Sequence, residues 1–273
     1  MPSLRRLAHA LLDRRLPLRT RLALLAADAR AGRDAGGHLA LPYGRARVFL
    51  TRDDYAIDRA SFVFAVVEAS YATDYSETAV LDVGAHKGYF AAFALAHGAR
   101  VAVTYEPESA NLAVLEATAA GYRAAGATWE IRRAAVDASD GRASLHVMNG
   151  SWGHALEPPA AFAEHEVRTE VVEVVALERA IDEVVALAGG KRIVVKINIE
   201  GAECSAILGT PPEAWREVDE VFVETHPWAT CDGEQLAAVL EPAGFRRSPS
   251  AHPAVLRMRR EESPRADRRT GST

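Results

Sequence analysis

From Ala79 onward the chain alternates apolar runs of strand length with runs of helical period, and that rhythm restricts it to few architectures. "AVLDVG" reads as a strand, "GYFAAFALAHG" as a helix closed by Gly98, and "RVAVTYEP" as a second strand. "SANLAVLEATAAGYRAAG" is a second helix and "TWEIRRAAV" a third strand. Two extended segments, "ASLHVM" and "VRTEVVEVV", flank a loop rich in Gly, Pro and Trp. "RIVVKINIE" is then a strand, "AECSAILG" a short helix, "VDEVFVETH" a strand, "DGEQLAAVLEPAGF" a helix and "AVLRMRR" a last strand. Parallel strands need crossover connections, and helices supply them. The order therefore predicts an α/β fold, a doubly wound, mostly parallel sheet with helices on both faces. Residues 1–60 precede it as an extension of helix and short strand, with "RASFVFAVVEASYA" as a helix leading in. Residues 61–260 form the main domain, and 261–273 have nothing to bury and are expected to be disordered.

The net charge of -5 argues against a general nucleic-acid binder. Only three of the 32 basic residues are lysines (Lys87, Lys191 and Lys196), so the wealth of arginine reads as a coding bias, and the scarce lysines draw the attention. Cys204 and Cys231 show neither metal-ligand spacing nor a disulfide framework, so a reducing cytoplasm is the expectation. No apolar run reaches the length of a membrane span, and arginines break every candidate signal core at the N-terminus. Leu4, Leu7, Ala8, Leu11 and Leu12 share one helical face. That face suits a helix that caps the domain or pairs in a homodimer, ahead of one lying on a membrane surface.

Two segments fall where such a sheet opens. In "VLDVGAHKGYF" a buried strand ends at Asp82, Gly84 and Gly88 bracket a turn, and a helix starts at once. Glycine permits close backbone approach to a ligand, and a helix N-terminus offers free N–H groups. The third glycine of the pyrophosphate-binding pattern is missing, which points to a nucleoside without a pyrophosphate and leaves a nicotinamide dehydrogenase a distant alternative. Roughly 20 residues on, Glu106 ends the next strand, where a carboxylate accepts hydrogen bonds from ribose hydroxyls. In "VVKINIEGAE" an apolar strand turns polar only toward its end. Lys196, Asn198 and Glu200 fall on one face, with Val195, Ile197 and Ile199 on the other.

The turn and Glu106 resemble the S-adenosylmethionine-dependent methyltransferases of Rossmann-like fold. More closely, "LDVGAHKGYF…YEPESANLAVL…RAAV…VVKINIEGAE…VFVETH" is similar in order and spacing to the FkbM-type methyltransferase family, from about Thr78 to Phe245. The resemblance implies S-adenosyl-L-methionine as cofactor and S-adenosyl-L-homocysteine as product. It implies that Asp82, Gly84, Ala85, His86, Gly88, Tyr89 and Phe90 surround the methionine part of the cofactor. Glu106 would bind the ribose with Asn111 as an extra contact, and Ala135–Val136 would lie at the adenine. The implied partner is a small-molecule acceptor, a hydroxyl on a sugar or secondary metabolite. Methylation of nitrogen or carboxylate, and a non-catalytic scaffold that binds the cofactor, are the alternatives.

At the same sheet edge "VETHPW" brings Glu224 and His226 beside "KINIE". Methyl transfer from a sulfonium is an in-line displacement, and the protein mainly aligns the nucleophile and removes its proton. His226 is the expected base by its intrinsic pKa, with Glu200 and Glu224 orienting it or binding substrate. Lys196 would bind an anionic group or lie in an ion pair. Family members typically carry Asp where Asn198 stands, and an amide takes no proton at neutral pH. That departure weakens a carboxylate mechanism and leaves a divalent metal unassigned. Ser151, Trp152 and His154 would line the acceptor pocket or pack as a lid.

Overall fold

A computed structural model describes residues 16–30, 37–150, 153–158 and 164–261. The chain begins with α1 (Leu18–Arg30), a hairpin of β1 (His38–Tyr43) and β2 (Ala46–Thr51), and α2 (Tyr55–Phe62), which runs on into a π-helical stretch, Val63–Val67. There follow β3 (Thr78–Val83), α3 (Tyr89–Ala96), β4 (Val101–Tyr105), α4 (Ser109–Ala124), β5 (Thr128–Arg132), β6 (Ala135–Asp137), β7 (Gly141–Met148) and β8 (Glu166–Ala176). The chain closes with α5 (Leu177–Ala188), β9 (Arg192–Ile197), α6 (Glu203–Gly209), β10 (Glu220–Glu224), α7 (Gly233–Leu240), β11 (Phe245–Arg247) and β12 (Val255–Arg260). The expected helical face from Leu4 to Leu12, the tail beyond Glu261, and Ser151 and Trp152 lie outside the described residues.

The main sheet has seven strands in the order β11-β12-β10-β9-β3-β4-β5. The five from β10 to β5 are parallel, and β12 runs antiparallel to β10 and β11. Alternation along each strand decides which layer a side chain enters. Val80 of β3 and Val194 of β9 join the core shared with α3 and α4. Leu81, Val83, Val195 and Ile197 point the other way, into the core built with α5, α6 and α7. Every residue of β3 and β4 is buried, as expected for parallel strands covered on both faces. Leu24 of α1, Leu39 and Leu41 of β1 and Val48 of β2 pack into the same core as Phe90 and Phe93 of α3. Among the described residues no helix is long and apolar enough to cross a membrane.

The structure differs from the sequence expectation in several places, among them the end of "DGEQLAAVLEPAGF", where α7 stops at Leu240 and Phe245 opens β11. "TWEIRRAAV" is not one strand: β5 ends at Arg132, and β6 leaves the main sheet to pair with β8 in a second sheet, β6-β8-β7. Helix α5 has no counterpart among the expected elements. Its buried Leu177, Ala180, Ile181, Val184 and Ala188 have helical spacing, but they follow the strand run of β8 without a break residue. Finally, Cys204 and Cys231 form a disulfide, which corrects the reading that found no disulfide framework. The adjacency of β9 and β10 brings the start of α6 against the segment before α7, across a separation of 27 residues that carries no motif. The cysteine-based ground for a reducing compartment goes with that correction.

Candidate functional site

The chain winds outward from β3 to β5, returns to β9 and then winds toward β10, so strand order reverses between β3 and β9. Ligands of such sheets sit outside the carboxyl ends of the strands at that reversal, and a cavity of about 690 Å³ opens there. Gly84, at φ +74°, lets the two strand ends meet: a Cβ on it would lie 1.7 Å from Asn198 O. Gly88, at φ +83°, caps α3, and a Cβ there would meet Leu115 at 2.6 Å. Between them His86 holds φ +53°, a left-handed backbone that a non-glycine residue keeps only where its surroundings fix it. Its N–H donates to Glu106 Oε2 at 2.7 Å.

Glu106 is 5% exposed, and its Oε1 accepts from the Glu108 N–H at 3.0 Å. Burial pushes its carboxyl up to about 7, against the hydrogen bonds from Glu108, His86 and the Asn111 side chain. Beside it Tyr105, Pro107, Ala134, Ala135 and Val136 form a largely apolar slot in the cavity wall. A buried carboxylate next to an apolar slot matches a ribose and its purine, so these residues fit S-adenosylmethionine.

Asp82 lies behind this wall. It accepts from Lys196 Nζ at 2.9 Å, and burial raises its pKa while Lys196 opposes the rise. Lys196 also donates to Gly84 O at 2.6 Å and Val83 O at 3.3 Å, so its charge ties β9 to β3.

The lining also takes in Ile57, Ala60 and Ser61 of α2, Val63 and Phe64 of the π stretch, and Tyr71. Sequence reasoning missed all of these. "RASFVFAVVEASYA" carries only a helical period, and the widened turn, a device frequent at functional sites, has no sequence signature. Tyr71 donates its hydroxyl to Glu224 Oε2 at 2.8 Å, and Asn198 Nδ2 donates to the same oxygen at 2.7 Å.

Glu200 stands at the cavity with φ +57°, and its Oε2 is buried without a hydrogen bond, as is Asn198 Oδ1. Burial pushes the Glu200 carboxyl up to about 7; His226 opposes this, while Glu203 and Glu224 reinforce it. His226 does not line the cavity. Its Nε2 lies 3.6 Å from Glu200 Oε2 and its Nδ1 3.3 Å from Glu203 Oε1, with the side chain 7% exposed. Burial works against its charge, but Glu203 and the charges of Glu200 and Glu224 outweigh it and raise its pKa. His154 does line the cavity. Its Nδ1 accepts from the Met148 N–H at 3.1 Å, and burial holds its pKa low.

The cavity thus gathers Gly84, Ala85, His86, Tyr89, Phe90 and Glu106 from the cofactor expectation, together with Ala135 and Val136. From the acceptor expectation it gathers His154, Lys196, Asn198, Glu200 and Glu224. Asp82, Gly88, Asn111 and His226 stand outside its walls. Among the described residues no three His, Cys, Asp or Glu side chains are grouped to hold a metal ion.

Residues 82–247, more than half of the chain, match the FkbM methyltransferase domain. The methyltransferase FkbM of Methylobacillus flagellatus is similar in structure, at 16% identity and a TM-score of 0.45, over 87% of this chain. This chain spans 59% of that protein's length. The magnesium protoporphyrin IX methyltransferase of Synechocystis, solved with bound S-adenosylmethionine, is similar at 11% identity and a TM-score of 0.40, over 77% of this chain and 83% of that one. No curated protein matches the chain. The domain match runs from Asp82 near the end of β3 through Glu106 to both strand ends of the cavity: the chain belongs to the FkbM methyltransferase family, whose members are S-adenosylmethionine-dependent.

Proposed function

We propose that the chain methylates a hydroxyl of a neutral small molecule and that Glu200 takes the proton. The observation that carries this reading is Glu200 itself: a carboxylate that lines the cavity beside the reversal of strand order, its buried Oε2 without a hydrogen bond and 3.6 Å from His226 Nε2. A general base works best with a pKa near the operating pH, and burial brings Glu200 to about 7. His226 has its two ring nitrogens against Glu200 and Glu203, so it serves as the counter-charge that orients Glu200. This reverses the roles expected for the two residues from the sequence.

When bound, the cofactor supplies an electrophilic methyl group on a sulfonium. Glu106 accepts hydrogen bonds from its ribose hydroxyls, and Ala134, Ala135 and Val136 flank its base. Asn198 Oδ1, the other buried oxygen without a hydrogen bond, receives a donor from the acceptor molecule and so aims its hydroxyl. Both cations that line the cavity are already engaged, Arg59 with Asp28 at 2.7 Å and Lys196 with Asp82 at 2.9 Å. That pairing favours an uncharged acceptor over a carboxylate.

The test uses labelled S-adenosylmethionine against a panel of hydroxylated acceptors. Glu200→Gln is expected to lose about 10²–10⁴-fold in turnover while S-adenosylmethionine binds within threefold of wild type. A variant that keeps full turnover would remove Glu200 as the base. A folded wild type that binds no S-adenosylmethionine would remove the methyltransferase reading.

A further inference from the structure

Lys87 stands in the turn between Gly84 and Gly88, yet it does not line the cavity. Its side chain is 2% exposed, and Nζ lies 2.5 Å from Oδ1 of Asp58 on α2, a fully buried carboxylate. Nζ also donates to Thr51 Oγ1 at 3.1 Å, and Asp54 Oδ2 is 3.9 Å away. Asp58 Oδ2 accepts from the Thr51 N–H at 2.6 Å and from its hydroxyl at 2.7 Å, while His86 Nε2 lies 3.9 Å from Oδ1. One carboxylate therefore joins the end of β2, the helix α2 and the cofactor turn.

We propose that Lys87 and Asp58 are a positioning pair that fixes the cofactor turn against the part of the cavity lining carried by α2. The proposal rests on Glu106 being the ribose carboxylate. On the turn, Lys87 follows His86, whose left-handed backbone aims its N–H at Glu106 Oε2. On α2, Asp58 is flanked by Ile57, with Ala60 and Ser61 one turn on, and these three side chains line the cavity. Desolvating two charges makes a buried ion pair a weak source of stability beside an apolar pair of the same volume. What such a pair does supply is direction, because its hydrogen bonds hold only in one arrangement of the elements that carry it. The cavity lining on α2 also lies outside the family-matched residues 82–247, so this contact is where the family's turn meets the preceding segment of this chain. Ribose seated on Glu106 thus stiffens α2 through His86, Lys87 and Asp58, a continuous chain of contacts between two elements.

The experiment compares S-adenosylhomocysteine with its 2′-deoxy analogue by calorimetry, on wild type, Lys87→Met and the apolar double variant Lys87→Met/Asp58→Leu. Thermal unfolding checks each fold, and hydrogen exchange follows the amides of Tyr55–Phe62 with and without S-adenosylhomocysteine. Wild type is expected to favour the ribose form by about tenfold, the worth of a hydrogen bond to a charged group, and to slow exchange in α2 when it binds. The double variant is expected to fold and bind but to retain less than about a third of that preference, with α2 exchange no longer responding. Lys87→Met alone removes the lysine charge from beside a buried carboxylate that keeps only its Thr51 hydrogen bonds and the distant His86, so the double variant decides if the single one fails to fold. A folded double variant that keeps the ribose preference and the α2 response overturns the proposal, and so does a double variant that cannot fold, since the pair is then structural. A wild type that binds neither nucleoside removes the cofactor reading itself, a failure distinct from these.

Discussion

Asn198 Nδ2 and Tyr71 Oη converge on one oxygen of Glu224, at 2.7 and 2.8 Å. An aspartate at 198 would set two carboxylates at that distance, with Glu200 close by, and one of the pair would keep a proton to neutral pH. The amide removes that conflict and donates instead. Asn198→Asp is therefore expected to match wild-type stability near pH 5.5 and to lose about 1–3 kcal/mol at pH 8, read by chemical unfolding at the two values. A loss of the same size at both would mean that the amide's hydrogen bond, not the added charge, sets the cost. The place of Glu106 at the cavity was legible in the sequence because it ends a strand at a fixed distance past a glycine turn. Tyr71 was not, because its partner Glu224 is 153 residues away and no pattern links them. His226 was expected as the base by its intrinsic pKa, and the structure sets it outside the cavity lining. Its environment of Glu200 and Glu203 exists only once β9 and β10 are side by side.

Elements were legible where one period ran between clear breaks, as in α3 closed near Gly98, or α7 with its capping box of Asp232 and Gln235. They were hidden where two periods abut, as at β8 and α5, or where one apolar run serves two sheets, as at β5 and β6. The disulfide belongs to this scale too. Cys204 follows Glu203 at the start of α6, and Cys231 precedes the cap of α7, so the bond holds the segment that carries His226 between two helices. Closing a loop of 27 residues is worth about 3 kcal/mol, chiefly by restricting the unfolded chain. Dithiothreitol is expected to lower the unfolding midpoint of wild type and to leave Cys204→Ala/Cys231→Ala unchanged. A wild-type midpoint that ignores the reductant would mean that the two sulfurs are not bonded in solution.

Across the molecule, the buried carboxyls at the carboxyl edge of the sheet shift upward, while His154 in the cavity is held low by burial and works against them. Burial raises the pKa of Asp82 and takes Glu106 and Glu200 to about 7, while neighbouring carboxylates raise His226. A carboxyl whose folded pKa lies above its unfolded value contributes stability that is complete below the unfolded pKa and is lost as pH rises through the folded one. For Glu106 and Glu200 that window runs from the ordinary glutamate value of 4.5 to about 7, and full expression of each shift is on the order of 3 kcal/mol. His226 has the same sign, since its charged form is the one the fold favours. Asp74, Asp140 and Glu166 are lowered, but they are exposed and act only in stronger acid. The unliganded protein is thus expected to lose thermal stability between pH 5 and 8, and Glu106→Gln to flatten the slope. S-adenosylhomocysteine should bind more tightly over the same rise, because ribose hydroxyls donate to an ionised Glu106. A site that strains the free protein at neutral pH then gains most from its ligand at that pH. One pH series of unfolding, with and without S-adenosylhomocysteine, reads both slopes. Stability that stays level or rises from pH 5 to 8 would mean that these carboxyls ionise freely, and that the cavity is wetter than its burial implies.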